Sequence, residues 1–314
     1  MILKQILEIY EYIDKPTANG KELQEYFEGY SVKDCQINVK KIKGDTGETD
    51  FIRILIPGIN GKFKGGNSPT IGILGRLGGI GARPEVIGLV SDGDGALIAL
   101  SVAAKILDMY KKGDYLEGDV IISTHICPNA PTQPHDPVPF MGSPVDMQTV
   151  NREEVSGDLD AILSIDTTKG NRVINHSGFA ISPTVKEGYI LKTSEDLLDI
   201  MSITTGKLPK VFPITTQDIT PYGNDIYHLN SILQPATATD APVVGVAITT
   251  ETAVPGCATG ASHFVDIELA SRFTLEVAKS FGKNNCKFYD EDEFKLIKEK
   301  YGSMVHIQTL GKKA

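Results

Sequence analysis

Apolar residues Ile2, Leu3, Ile6, Leu7, Ile9, Tyr10 and Ile13 recur at helical spacing and predict an amphipathic helix at the start of the chain. Lys15-Pro16-Thr17-Ala18-Asn19-Gly20 breaks that pattern, and a second helix is predicted over Glu22 to Tyr30. Two β-rich runs, Cys35 to Ile42 and Phe51 to Ile56, flank Gly44-Asp45-Thr46-Gly47 and predict a hairpin. Thr70 to Leu74, Val120 to Thr124, Ala161 to Ile165 and Pro242 to Ile248 are short, mainly apolar runs, as expected of strands buried on both faces. Ala96 to Tyr110 and Ile267 to Phe281 are apolar almost all round, which predicts helices pressed on a sheet, with Gly113 as the stop of the first. Strands alternating with helices predict an α/β fold: three layers, α/β/α, around a largely parallel mixed sheet. No repeat, linker or charge block interrupts the pattern, so one domain is expected over residues 1–314.

Composition narrows the class. Hydrophobic residues are 41% and charged residues 23%, which excludes disordered and low-complexity chains. The formal charge of -9 lacks the basic field that phosphate backbones or anionic lipids demand, so neither nucleic acid nor membrane is an expected partner. The longest apolar runs fall far short of the ~20 residues a membrane span needs. Met1-Ile2-Leu3-Lys4 opens no secretory signal, and the expected location is cytoplasmic. Cys35, Cys127, Cys257 and Cys286 form neither a disulfide framework nor a close-spaced zinc pattern, so reduced thiols are expected.

In open α/β sheets ligands collect at the carboxyl ends of the strands, and the polar clusters of this chain lie there. Arg76 follows the Thr70 strand, and Ser91-Asp92-Gly93-Asp94-Gly95 opens the long apolar helix, where the two aspartates serve either as caps or as metal ligands. Thr124-His125-Ile126-Cys127 ends the next strand. Ten residues past His125, a loop holding six prolines between Pro128 and Pro144 offers His135 and Asp136. Asp166 and Lys169 follow the Ala161 strand, Gly223-Asn224-Asp225 forms a turn, and Ser262-His263 stands at the entrance to the last long helix. Imidazole and carboxylate together are the usual ligand set for zinc, manganese or iron. A thiol nucleophile, Cys127 beside His125 or His263, is the weaker alternative, since no local signature supports it. The serine-nucleophile elbow, the calcium loop and the Walker phosphate loop are all missing from the sequence.

Taken in order, these features resemble the co-catalytic zinc exopeptidases of the glutamyl and leucyl aminopeptidase kind. The chain is still more similar to an uncharacterised bacterial family of unknown function. That likeness is carried over nearly its whole length by runs such as Ser91-Asp92-Gly93-Asp94-Gly95-Ala96, Pro134-His135-Asp136-Pro137 and Ile165-Asp166-Thr167-Thr168-Lys169. The peptidase resemblance implies that Asp92 matches the metal-bridging aspartate, Asp166 the next acidic ligand, Asp225 the glycine-rich turn before the penultimate strand, and His263, loosely, the final histidine. Two departures stand out. Arg76 and Gly78 occupy the places of the first ligand histidine and its aspartate, and no glutamate stands near His125 to Cys127, where the peptidases carry their catalytic pair.

The expectation that follows is a metal-dependent hydrolase of small peptides or acyl-amino acids. Zinc or manganese would be held by Asp92, His125, Asp166 and His263. His135 or Asp136 would take a proton from bound water, and Arg76 would receive a substrate carboxylate or replace the charge of a missing metal. Asp94, Lys169 and Asp225 would line the substrate. The alternative is a catalytically degenerate protein of the same fold that binds a small molecule or serves in an assembly, with homo-oligomerisation left open.

Overall fold

A computed structural model describes residues 1–76, 78–136, 138–214 and 230–308 of the protein. Helix α1 (Leu3–Ile13) buries the stripe Ile6, Ile9 and Ile13, and α2 (Gly20–Glu28) starts at Asn19, whose side chain accepts the Glu22 N–H. Strands β1 (Gln36–Gly44) and β2 (Gly47–Ile56) form the predicted hairpin, with Gly44 opposite Gly47 and Asp45-Thr46 as the two-residue turn.

The central strands are β3 (Ile71–Gly75), β4 (Val120–Ile126), β7 (Ala161–Thr167) and β11 (Val243–Thr249), and all but the last residue of β7 are buried. Burial on both faces explains their unalternating composition. Among the described residues, strands β8 (Gly178–Ile181), β9 (Val185–Lys186) and β10 (Tyr189–Ile190) bring the sheet to nine strands in the order β1-β2-β4-β3-β7-β11-β9-β10, with β8 also on β11. Its parallel pairings are β4–β3, β3–β7 and β7–β11, whereas both flanks are antiparallel. Parallel character is thus confined to the four strands joined by helical crossovers, because the hairpin and the short return strands reverse direction within a few residues.

Helices α3 (Asp94–Lys111), α5 (Glu195–Thr205) and α6 (Phe264–Gly282) join α1 and α2 on one face of the sheet. Every apolar side chain of α3 from Ala96 to Leu107 is buried, which is why its sequence shows so little periodicity. The opposite face carries α4 (Met147–Glu154) and the short 3-10 segment Ser231–Thr237. A small hairpin, β5 (Thr132–Gln133) with β6 (Phe140–Met141), lies within the proline-rich loop. Helix α7 (Glu291–Tyr301) begins at the Asp290 cap and sets Phe294 edge-on against Tyr189 of β10. Among the described residues no helix is long and apolar enough to cross a membrane.

Candidate functional site

The polar residues converge where the carboxyl ends of β3, β4 and β7 meet the start of α3. Asp94 is the first residue of α3 and is fully buried. Its Oδ2 lies 3.0 Å from Lys169 Nζ, and its Oδ1 accepts the Ser262 hydroxyl at 2.6 Å. Burial raises the Asp94 pKa, while the Lys169 charge and the Ser262 bond pull it back. Lys169 is itself 3% exposed and comes from the turn after β7. There Gly170 adopts φ +32° and packs so tightly on the Thr252 carbonyl that a Cβ would sit 2.1 Å from it.

Asp92 lies one turn earlier, in the 3-10 segment Ser91–Gly93. Its Oδ2 accepts the Met141 N–H at 3.2 Å, and its own N–H donates to the Gly256 carbonyl at 2.9 Å. A Cβ on Gly256 would approach Asp92 Oδ2 to 2.2 Å, so the loop after β11 closes over this carboxyl only because residue 256 is glycine. Burial pushes the Asp92 carboxyl up to about 7, against the pull of the Met141 N–H. Asp166, also buried, accepts the N–H of Thr167 at 2.6 Å.

His125 is buried and stacks on Phe51 at a centroid distance of 5.1 Å. Its Nε2 faces the Gly78 N–H at 3.1 Å, which makes Nε2 the acceptor and Nδ1 the protonated nitrogen. Nδ1 then donates to Thr49 Oγ1 at 2.9 Å, and Thr49 donates onward to the Ile126 carbonyl at 3.1 Å. Burial, with the Arg76 charge as the smaller cause, lowers its pKa to about 3. With both nitrogens bonded to protein, the ring of His125, expected as a metal ligand, offers no lone pair in this arrangement.

Arg76 points to the face of the sheet that carries α4, where its Nη1 meets Glu154 Oε2 at 2.5 Å; the two side chains are 1% and 0% exposed. Arg76, expected to receive a substrate carboxylate or to replace the charge of a missing metal, is thus held as a buried ion-pair partner of Glu154.

The proline-rich loop reaches the site through the Met141 backbone. His135 and Asp136 are exposed, and His135 rests edge-on against Phe140; neither bonds to Asp92, Asp94 or His125. His263 is half-exposed at the start of α6, with Nδ1 3.5 Å from Asp266 Oδ2, and close enough to Asp94 for its charge to lower that pKa. Asp225 lies outside the described residues. Burial raises the thiols of Cys127 and Cys257, which disfavours the thiolate that a cysteine nucleophile needs. The structure therefore unites Asp92, Asp94 and Lys169 and leaves His135, Asp136 and the ring of His125 outside that group.

The donor chemistry decides whether zinc or manganese fits. Among the described residues no three His, Cys, Asp or Glu side chains converge as a metal-holding group. Of the expected set Asp92, His125, Asp166 and His263, His125 has both ring nitrogens engaged by Thr49 and the Gly78 N–H, so these residues as arranged do not fit the expected ion. Sequence reasoning missed Glu154, Thr49 and Met141, whose partners lie 78, 76 and 49 residues away. Ser262, placed by the sequence only at the entrance to the last long helix, closes its hydroxyl on the start of α3.

Fold comparison defines the class. A Legionella pneumophila LapA aminopeptidase structure aligns with a TM-score of 0.50 at 12% identity, covering 92% of this chain and 71% of that one. A second LapA structure from the same organism gives the same score and identity over 88% of this chain and 71% of its own. The protein thus has an α/β fold of the kind found in aminopeptidases. More particularly, it belongs to the family described as protein of unknown function (DUF1177), whose model matches residues 40–311. No curated protein sequence matches it.

Proposed function

We propose that this chain is an exopeptidase-fold protein that binds a small molecule at its strand ends without a metal centre. The observation that carries this reading is the Lys169 ammonium, buried 3.0 Å from Asp94, where it supplies the positive charge that an acidic strand-end cluster requires. The satisfied ring of His125 and the Arg76–Glu154 pair support it, since both take positions where the peptidase resemblance expects ligands or catalytic groups.

Metal content measured by plasma mass spectrometry, on protein purified without chelator and again after titration with zinc or manganese and desalting, tests the reading. It expects well under one equivalent in both samples. Retention of about one or two equivalents, lost in Asp92→Ala, overturns it in favour of the second reading, a metal-dependent hydrolase of small peptides or acyl-amino acids. One observation favours that second reading: the buried Asp92 carboxyl, raised to about 7, has no lysine or arginine in contact among the described residues.

A further inference from the structure

A small molecule that binds at the strand ends needs a way in, and the groups there are closed to solvent: Asp94 is fully buried, Asp92 is 5% exposed and the Lys169 side chain 3%. Two segments lie against the Asp92 carboxyl, and they are held very differently. The loop after β11 is tied down by four hydrogen bonds. Ser91 Oγ donates to the Pro255 and Gly256 carbonyls at 3.1 and 3.0 Å, and the N–H groups of Ser91 and Asp92 donate to the Ala258 and Gly256 carbonyls at 3.0 and 2.9 Å. The β5–β6 hairpin is a two-stranded sheet of its own, off the main one. Among the described residues, its strands make one hydrogen bond to the rest of the chain, Met141 N–H to Asp92 Oδ2 at 3.2 Å. The neighbouring Gly142 N–H turns back to the Pro131 carbonyl at the base of the hairpin.

Apolar packing supplies the rest of the hold. Met141 is 3% exposed and joins Ala82, Val90, Cys127, Ala130 and Cys257 in a small cluster separate from the cores on the two faces of the sheet. Its tip seats on Gly79, where a Cβ would stand 2.3 Å from Met141 Cε. A satellite cluster of this size opens at lower cost than a domain core, because few contacts and one hydrogen bond are lost.

We propose that the β5–β6 hairpin is a lid over the strand ends, plugged by Met141, and that it opens locally to admit a small molecule to Asp92. The proposal rests on the small-molecule reading above and supplies the route by which the ligand enters.

Cys127 and Cys257 share the cluster with the plug and report on its opening, while Cys286, 2% exposed in the main core, serves as the comparison. The full chain is treated with iodoacetamide in urea from zero to just below the unfolding transition, and each cysteine is followed by mass spectrometry. Each rate is divided by the rate of the same thiol in the urea-unfolded chain, which removes differences in intrinsic reactivity. A lid makes Cys127 and Cys257 react at least ~100-fold faster than the unfolded population and Cys286 permit, with little dependence on urea, because local opening exposes little surface. Hydrogen exchange identifies the segment that moves: the Met141 amide is expected to be at least ~10-fold less protected than the amides of Ser91 and Asp92, which hold the other loop. Met141→Ala removes the plug and speeds labelling of Cys127 and Cys257 further, relative to Cys286; should that variant not fold, the wild-type measurements decide alone.

The proposal is overturned if Cys127 and Cys257 react only as fast as global unfolding allows and with its urea slope. Equal protection of the Met141, Ser91 and Asp92 amides also overturns it. Either result leaves the metal-free reading standing, since metal content decides that reading. Stoichiometric metal removes the reading, while labelling and exchange still decide the lid.

Discussion

Replacing Lys169 by methionine keeps the length and apolar character of the stem and deletes only the charge, so Lys169→Met isolates what the ammonium does at the strand ends. Asp94, fully buried and 3.0 Å from that ammonium, is then left as an uncompensated carboxylate. Breaking a buried pair in this way costs about 3–5 kcal/mol, a large part of the ~5–15 kcal/mol that holds a typical protein folded. Adding Asp94→Asn removes the orphaned charge and keeps an acceptor for the Ser262 hydroxyl, so the double variant recovers much of the loss. A double-mutant cycle by urea unfolding at pH 7.5 is expected to give a coupling of at least ~1.5 kcal/mol.

The pH dependence has a definite sign. Asp94 is already held above its ordinary pKa by burial, and loss of Lys169 removes the strongest opposing charge, so the folded chain binds that proton more tightly still. The penalty in Lys169→Met is therefore full above the folded pKa and shrinks as pH falls through it, while wild type shows less of this trend. A coupling below ~0.5 kcal/mol, within ordinary additivity error, or a penalty independent of pH refutes the view that Lys169 neutralises this cluster.

Three further outcomes follow from the same geometry. His125 titrates at about 3 when folded and near ~6.5 when unfolded, so the unfolded chain binds more protons between those values; stability falls by roughly 1.4 kcal/mol per pH unit below 6.5, a slope that His125→Gln should abolish in chemical denaturation between pH 5 and 7.5. Asp92 has the opposite sign: its carboxyl, raised from 3.8 to about 7, makes the folded chain hold the proton longer, so its penalty grows from pH 4 to 7 and stays in full above. Asp92→Asn is accordingly expected to stabilise the protein by up to ~4 kcal/mol at pH 8 and hardly at all at pH 4, and an equal effect at both pH values counts against the assigned burial cost. Gly256→Ala should lower stability by ~1–3 kcal/mol, because its Cβ would meet Asp92 Oδ2 at 2.2 Å, and a thermal unfolding midpoint equal to wild type would show that this loop does not rest on the carboxyl.

The parts of the fold that could be read in advance are those where burial dictates composition. The four central strands and α3 are buried nearly all round, and their unbroken apolar runs announce it. Helices α4, α5 and α7 escaped because they bury only a few residues each, three in α4, three in α5 and Phe294 alone in α7, too few to impose a clear period. The short strands β8 to β10 exist through pairing with β11 and with each other, a tertiary fact that local pattern does not carry. At the site, the strand-end rule picked out Asp92, Asp94, Asp166 and Lys169, and the fold sets Asp94 against Lys169. Residue type alone could not tell a histidine with a free nitrogen from one held by Thr49 and the Gly78 N–H, because the fold brings Thr49 from β2 and Gly78 from the loop after β3.

The departures from the exopeptidase order gain their meaning from what accompanies them. An arginine placed where a ligand histidine is expected would by itself put an uncompensated charge in the interior, yet Arg76 is met by Glu154 from a helix 78 residues further along the chain. Gly78, in the place of an aspartate, leaves no room for a side chain, since a Cβ would sit 2.0 Å from the His125 carbonyl; its N–H instead holds the imidazole of that same residue. Asp94 has Lys169. The departures at Arg76 and Gly78 are thus each matched by a protein group of complementary charge or hydrogen bonding, as Asp94 is by Lys169.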